Sequence, residues 1–310
     1  MTNSTTNLPL QGQRILITGG TGLVGQRLSK LLAENHFEVS HLSRNPTKGT
    51  YESFYWNVEK GEIDKEAIKN SDIIIHLAGA SVAGKRWTKK WKQEIYDSRI
   101  NATRLLVEAI RNHNSRLQHF ISASAIGYYG WDTGQNLVDE SSEKGKGFLA
   151  DVVADWEKEV SNLDEFGVKN SIARVGIVLS DKGAALVEMM KPIKLGIGAP
   201  LGSGKQFMSW IHIDDLCQLF IHMINSGEAG VFNAVAPNPV TNKDFTKQLA
   251  KAVNKPLILP NVPSFALRLL VGEMQVMLTG GNKVSSKKIE QTGFDFQYPS
   301  LDSALKNLVK

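Results

Sequence analysis

The chain has a single cysteine, Cys217, in 310 residues. One thiol excludes an intramolecular disulfide. Seven scattered histidines with no H-x-x-x-H or paired-cysteine spacing give no metal-ligand pattern, so no metal is expected. Cys217 lies in an apolar helical run with Leu216, Leu219 and Phe220, the setting of a core residue. No apolar run approaches the roughly 18 residues of a membrane span. The first ten residues are polar and lack the apolar centre of a secretory signal. A soluble cytoplasmic protein with no membrane partner is the expectation. Charge of one sign hardly dominates: the formal net charge is +5 and the sequence pI about 9.1. That balance suits an anionic nucleotide, as it does many soluble proteins. The densest basic run, Lys85-Arg86-Trp87-Thr88-Lys89-Lys90-Trp91-Lys92, reads as a solvated helix face with its tryptophans turned inward, and no nucleic-acid partner is expected. Internal repeats and low-complexity linkers are also missing.

The most informative segment is Arg14–Gly25, RILITGGTGLVG. An apolar strand (Ile15, Leu16, Ile17) runs into Thr18-Gly19-Gly20-Thr21-Gly22-Leu23-Val24-Gly25. Leu23, Val24, Leu28, Leu31 and Leu32 then recur at helical spacing. A T-G-x-x-G-x-x-G loop between strand and helix is the setting that binds a dinucleotide pyrophosphate. Gly19 and Gly22 let the backbone turn tightly and approach the phosphates, and Gly25 lets the helix pack closely on the strand. The free N–H groups and positive end of the helix face the phosphates. About 20 residues on, NAD-preferring loops carry an Asp or Glu for the ribose 2′-OH. Here Ser43-Arg44 follows the second strand. Arginine pairs with a 2′-phosphate that a carboxylate would repel, and Arg27 in the first helical turn adds a second cation. NADP(H) is therefore expected in preference to NAD(H).

Beyond a loose tail at 1–12, strands and helices alternate. Strands are expected near 14–18, 38–42, 53–56, 72–77, 118–123 and 170–178, and helices near 24–35, 64–70, 88–112 and 147–166. The pattern predicts an α/β fold, a Rossmann-type doubly wound parallel sheet with a smaller C-terminal substrate lobe. The Rossmann domain is expected at 13–178, with 205–235 returning to it. The lobe takes 179–204 and 236–310, including a family segment at about 250–300. The continuously apolar strand Asp72–Leu77 reads as buried on both faces. It ends in Ala78-Gly79-Ala80-Ser81, small residues that let the chain pass close to the cofactor, so Leu77, Ala78 and Gly79 join the cofactor set, as does Ser122. Thr241 or Asn242 is expected to cap a helix.

The glycine loop, DIIIHLAGA, FISASAIGYYG and SWIHIDDL together resemble the extended short-chain dehydrogenase/reductase superfamily, the group of NAD-dependent nucleotide-sugar epimerases and dehydratases. Within it the chain resembles the "epimerase family protein" branch, whose reaction is unassigned. That likeness is carried by Lys85-Arg86-Trp87, Ser98-Arg99, Gly127-Tyr128-Tyr129-Gly130, the glycine-rich loop through Gly202-Ser203-Gly204, and a tail from Val262-Pro263 through Gly272-Glu273-Met274 to Gly293-Phe294 and Tyr298-Pro299.

The resemblance implies catalysis by a Ser past the fifth strand and a Tyr-x-x-x-Lys on the next helix, the Tyr acting as general acid/base and the Lys lowering its pKa. Ser124 matches the Ser. The helix reads Gly147-Phe148-Leu149-Ala150-Asp151-Val152-Val153-Ala154-Asp155-Trp156-Glu157, which puts Leu149 and Val153 at the Tyr and Lys positions. No Tyr-x-x-x-Lys occurs anywhere in the chain. Without a proton donor, hydride transfer to a carbonyl leaves an alkoxide uncompensated. Tyr128 or Tyr129, flanked by glycines and close to Ser124, is the replacement acid to test, with Lys85, Arg86 and Lys205 as cations that would lower its pKa. Arg86, Arg174 and Lys205 are the candidate substrate contacts. Asp151 reads as helix solvation, and His212 as a core or capping residue.

The expected function is that of an NADP(H)-binding oxidoreductase or isomerase on a small polar substrate, in the range of sugar-nucleotide-like molecules. The alternative is a non-catalytic NADP(H)-binding redox sensor or scaffold. The state is monomer or homodimer.

Overall fold

Ile73–His76 is buried along its whole length, because the sheet is centred on it. The computed structural model describes residues 12–114 and 116–309, so the tail expected at 1–12 lies almost wholly outside the described residues. Six strands come from the first half: β1 (Arg14–Thr18), β2 (Glu38–Ser43), β3 (Glu52–Asn57), β4 (Glu62–Ile63), β5 (Ile73–His76) and β6 (His119–Ala125). With Lys169–Val175 and Gly230–Ala234 they form an eight-stranded sheet. Its order is Gly230–Ala234, Lys169–Val175, β6, β5, β1, β2, β3, β4. All neighbours run parallel except β4, which returns antiparallel on β3. The chain winds outward from β1 through β2 and β3, then restarts on the other side of β1 at β5. The carboxyl ends of β1 and β5 therefore flank the topological switch point, where such sheets open a crevice.

Alternation along the strands sorts the core into two layers. Ile15, Ile17, Ile73, Ile75 and Ile121 meet α1 (Leu23–Glu34) and, from far along the chain, Ile213–Ser226. Leu16, Ile74 and Phe120 face α2 (Lys65–Lys69), α3 (Lys89–His113) and α4 (Phe148–Ser161). Cys217 is fully buried in the first layer. A third core gathers α5 (Ala184–Lys194), Asn242–Ala252 and Leu301–Leu308 around Trp210 and Phe245. Side-chain caps fix several starts: Asp64 for α2, Thr88 for α3 and Thr241 for Asn242–Ala252. His212 caps Ile213–Ser226, its Nδ1 accepting from the Asp214 N–H at 3.0 Å.

Two boundaries differ from the periodic reading. The helix expected to reach 166 leaves α geometry at Ser161 and finishes as a 3-10 turn, Asn162–Phe166, closed by Gly167 in the left-handed region. The strand expected over 170–178 breaks at Gly176. Its N–H still bonds to Ala234 in the main sheet, but Ile177 bonds to Ser209, and Ile177–Leu179 pairs with Trp210–His212 instead. A Cβ at Gly176 would stand 2.4 Å from the Ser209 oxygen, so only glycine lets the chain change sheets there. The strand Asp132–Val138, mostly exposed and without an apolar period, pairs in parallel with Gly281–Val284. Among the described residues no helix is long and apolar enough to cross a membrane.

Candidate functional site

At the end of β1, Thr18 clamps the two strands of the switch point. Its Oγ1 accepts from the N–H groups of Leu77 and Ala78, both at 3.1 Å, and donates to His76 Nδ1 at 2.7 Å. The other ring nitrogen of His76 meets Thr103 Oγ1 at 3.1 Å, and that hydroxyl donates to the Arg99 carbonyl. Complete burial, with the Arg99 charge adding to it, pushes His76 down to about 3, so the ring is neutral at pH 7.

The loop beyond Thr18 is built where side chains do not fit. Gly19 has φ +72°, and a Cβ there would lie 3.0 Å from the Ala78 nitrogen. At Gly25 an added Cβ would come within 2.3 Å of the Gly19 oxygen, so this glycine seats α1 against the loop. Gly20 is covered by the His41 ring, itself hydrogen-bonded to Ser29 at 2.8 Å. Thr21 and Gly22 are exposed, while Leu23 and Val24 are half-buried. The first turn of α1 carries neither a side-chain cap nor an acidic residue, so its N–H groups and positive end remain open to an anion.

At the end of β2, Arg44 is exposed and enters no ion pair among the described residues, and the Ser43 hydroxyl accepts from the Asn45 N–H. Arg27 stands differently from expectation. It is held by Asp214 at 2.6 Å, so its charge is already matched across the α1–Ile213 helix contact and is not a second free cation. Ser122 is fully buried, its hydroxyl donating to the Ala123 carbonyl.

Beside this crevice lies a cavity of about 270 Å³. Its wall is largely apolar: Val82 and Ile95 from the α3 side, Leu149 and Val153 from α4, Met189 from α5 and Met277 from the C-terminal segment. Leu149 and Val153 thus face the cavity as hydrocarbon. Gln206 and Asn242 also line it, but their amides are bound to backbone at Leu201 and Leu278 and at Leu201 respectively. Asn282 donates to the carbonyls of Ile126 and Gly130, and its buried Oδ1 receives no hydrogen bond. Arg99 is the charged residue of this lining.

The candidate catalytic residues come together, but not around the cavity. Ser124 donates to Glu157 Oε1 at 2.6 Å. Arg174 grips the same carboxylate with Nε at 2.8 Å and Nη2 at 2.7 Å, and its Nη1 donates to the Tyr129 oxygen. Tyr129 donates to Asn233 Oδ1 at 2.7 Å. The Tyr128 ring lies over the guanidinium, 3.4 Å from Cζ to the ring centroid. Burial pushes the Tyr129 phenol up to about 12, against the opposing pull of Arg174. Burial also draws on the Arg174 charge, but Glu157 outweighs it and holds Arg174 above its ordinary value. A phenol so raised is a weak acid at neutral pH, and Ser124, Tyr129 and Arg174 are tied to one another rather than offered to a ligand.

The other proposed contacts also lie outside the cavity lining. Arg86 donates to the Leu269 carbonyl, Lys85 sits over the Trp91 ring, and Lys205 is exposed. Arg99 and Asn282 were missed as site residues. Arg99 stood out in the sequence only as part of a family mark, and nothing in the pattern marked Asn282.

Residues 15–148 match the model of the NAD dependent epimerase/dehydratase family, and residues 262–308 match a domain of unknown function, DUF1731. The chain is 37% identical over 298 residues to the epimerase family protein YfhF of Bacillus subtilis, covering 95% of this chain and 97% of that protein. It belongs to the NAD-dependent epimerase/dehydratase family. Among solved structures, human epimerase family protein SDR39U1 with NADPH superposes with a TM-score of 0.85 at 30% identity, covering 96% of this chain and 99% of that one. The UDP-glucose 4-epimerase of Thermotoga maritima, solved with UDP-glucose, shares the fold at a TM-score of 0.77 and 19% identity, with 96% and 97% covered. Within this epimerase/dehydratase architecture, the chain carries the glycine loop at the switch point and places Leu149 and Val153 on the cavity wall.

Proposed function

We propose that this chain is an NADP(H)-dependent oxidoreductase whose reaction takes place in the apolar cavity beside Leu149 and Val153. The observation that carries this reading is the adjacency of two features. An open glycine loop stands at the switch point, and the cavity is walled by Leu149 and Val153, the residues at the Tyr and Lys positions that the sequence resemblance implies. Arg99 spans the two, since it lines the cavity and its Cζ stands 3.1 Å from where a Cβ on Gly79 would be. The preference for NADP(H) is supported by exposed Arg44, by the lack of a carboxylate at the end of β2, and by the NADPH bound to SDR39U1.

When bound, the nicotinamide supplies hydride. Leu149 and Val153 exclude water from one wall and cannot hold a proton. No carboxylic acid, phenol or imidazole lines the cavity among the described residues, so the proton comes from water or from the substrate itself. The lining suits a substrate with a hydrocarbon body better than the polar one expected from the sequence.

Fluorescence titration of the protein with NADPH and with NADH tests the reading. Tight NADPH binding beside weak NADH binding is expected. Arg44→Glu should remove one charge-assisted contact of about 1.5–3 kcal/mol, roughly a ten- to hundredfold loss for NADPH with NADH little changed. Binding of neither nucleotide refutes it.

A second reading, a non-catalytic NADP(H)-binding sensor or scaffold, is favoured by the engagement of Ser124 and Tyr129 with Glu157, Arg174 and Asn233. Tight NADPH binding with no NADPH oxidation across a panel of carbonyl and unsaturated compounds would select it.

A further inference from the structure

Arg99 carries a charge that the protein leaves unmatched. Its Nη1 donates to the carbonyls of Ala80 and Ile95, at 3.1 and 3.0 Å, and its guanidinium lies over the Trp156 ring, 5.3 Å from Cζ to the centroid. Among the described residues no carboxylate pairs with it, and no acceptor meets its Nε or Nη2. Burial draws the guanidinium down to about 10, which still leaves it charged at neutral pH. Among the described residues, the other arginines that are buried or half-buried are answered: Arg174 by Glu157, Arg27 by Asp214 and Arg14 by Asp72. A half-buried cation with an open edge on a cavity is the arrangement that receives an anion from outside.

We propose that Arg99 is the anion-recognising residue of the cavity, and that its ligand is a small monocarboxylate with an apolar body. The assignment rests on the cavity being the substrate site of the reading above. One guanidinium, with no lysine or second arginine in the lining, matches a single negative charge and would leave a phosphate dianion half-compensated. The Val82, Ile95, Leu149 and Met277 surfaces take hydrocarbon and offer nothing to the hydroxyls of a sugar. Gln206 and Asn242 do not compete for the carboxylate: Gln206 Nε2 donates to the Leu201 and Leu278 carbonyls, and Asn242 Nδ2 is directed at the Met208 sulfur. The other source of an anion beside Gly79 is a phosphate of the cofactor, and the experiment separates the two.

Full-length protein is titrated calorimetrically with hexanoate and with hexan-1-ol, each with and without saturating NADPH. Hexanoate should bind at least tenfold more tightly than the alcohol. Arg99→Met should erase that preference while leaving the alcohol unchanged, and Arg99→Lys should restore part of it. In the wild type the preference should disappear as the carboxylate protonates below about pH 5, which keeps the test decisive if Arg99→Met does not fold. No saturable hexanoate binding, equal binding of the two probes, or an undiminished preference in Arg99→Met overturns the proposal. So does a tenfold loss of NADPH affinity in Arg99→Met with hexanoate unaffected, which assigns the guanidinium to the cofactor. A hexanoate preference in protein that binds no NADPH would uphold the anion site and refute the oxidoreductase reading.

Discussion

Truncating Glu157 to alanine strips the buried Arg174 of its counter-charge. The pair is bidentate, and the side chains are 4% and 11% exposed for Arg174 and Glu157. Removing one partner of such a pair costs about 3–5 kcal/mol, because the remaining charge stays buried. Ser124 also loses its acceptor, which adds roughly 1 kcal/mol. With a urea slope near 3 kcal/mol/M, the unfolding midpoint followed by tryptophan fluorescence should fall by about 1.3–2 M. Replacing both charges, Glu157→Leu with Arg174→Met, should recover most of that loss, since a neutral pair of similar volume leaves nothing uncompensated. Ser124→Ala should cost only about 1 kcal/mol and leave NADPH affinity unchanged. A midpoint shift below roughly 0.3 M for Glu157→Ala, or a double variant no more stable than the single one, would refute the view of this cluster as a brace between α4 and the sheet.

Gly25→Ala should abolish NADPH binding in the same fluorescence titration, because the added methyl would lie 2.3 Å from the Gly19 oxygen and must push the loop and α1 apart; retention of wild-type affinity would show that the loop is slack. Stability should fall with acid. His76 and His119 are pulled to about 3 and about 4, chiefly by burial, from 6.5 in the unfolded chain. Both are neutral in the fold, so the unfolded state gains protons first. Their contribution is complete above about pH 6.5 and drains away as pH falls toward 4, at up to about 1.4 kcal/mol per pH unit for each ring. Urea midpoints at pH 7, 6 and 5 measure the slope, and His76→Gln should make it shallower; a midpoint independent of pH would contradict the burial of both rings.

The sheet was legible because its strands obey one rule locally. β1, β5 and β6 alternate or run apolar between small-residue turns, and the glycine loop announces where the first helix begins. The sheet change at Gly176 was not legible, since the periodic signal of residues 170–178 is continuous and the partner that captures Ile177 lies some 30 residues on, at Trp210–His212. Asp132–Val138 buries too little to leave a pattern. In the site, residue types were visible but their directions were not. Ser124 and Tyr128 stand close together in the sequence, which is what made Tyr128 a replacement acid to test. Glu157, which in the sequence is only one residue of the helix run from Gly147, decides where the Ser124 hydroxyl goes by drawing it to Arg174. Arg27 reads as a phosphate ligand until Asp214, 187 residues away, is brought beside it.

The wall of the cavity has a consequence for the order in which the protein acquires its parts during synthesis. A nascent chain that has emerged as far as Ala234 already holds all eight strands of the central sheet and the complete glycine loop. Met277, Leu278 and Asn282, which close the cavity, and Gly281–Val284, which fastens that closure to Asp132–Val138, lie further along the chain and are made later. The nucleotide crevice is thus assembled before the chamber beside it. A ribosome paused between these two points carries a chain with the means to hold the nucleotide and an unfinished compartment in which to use it.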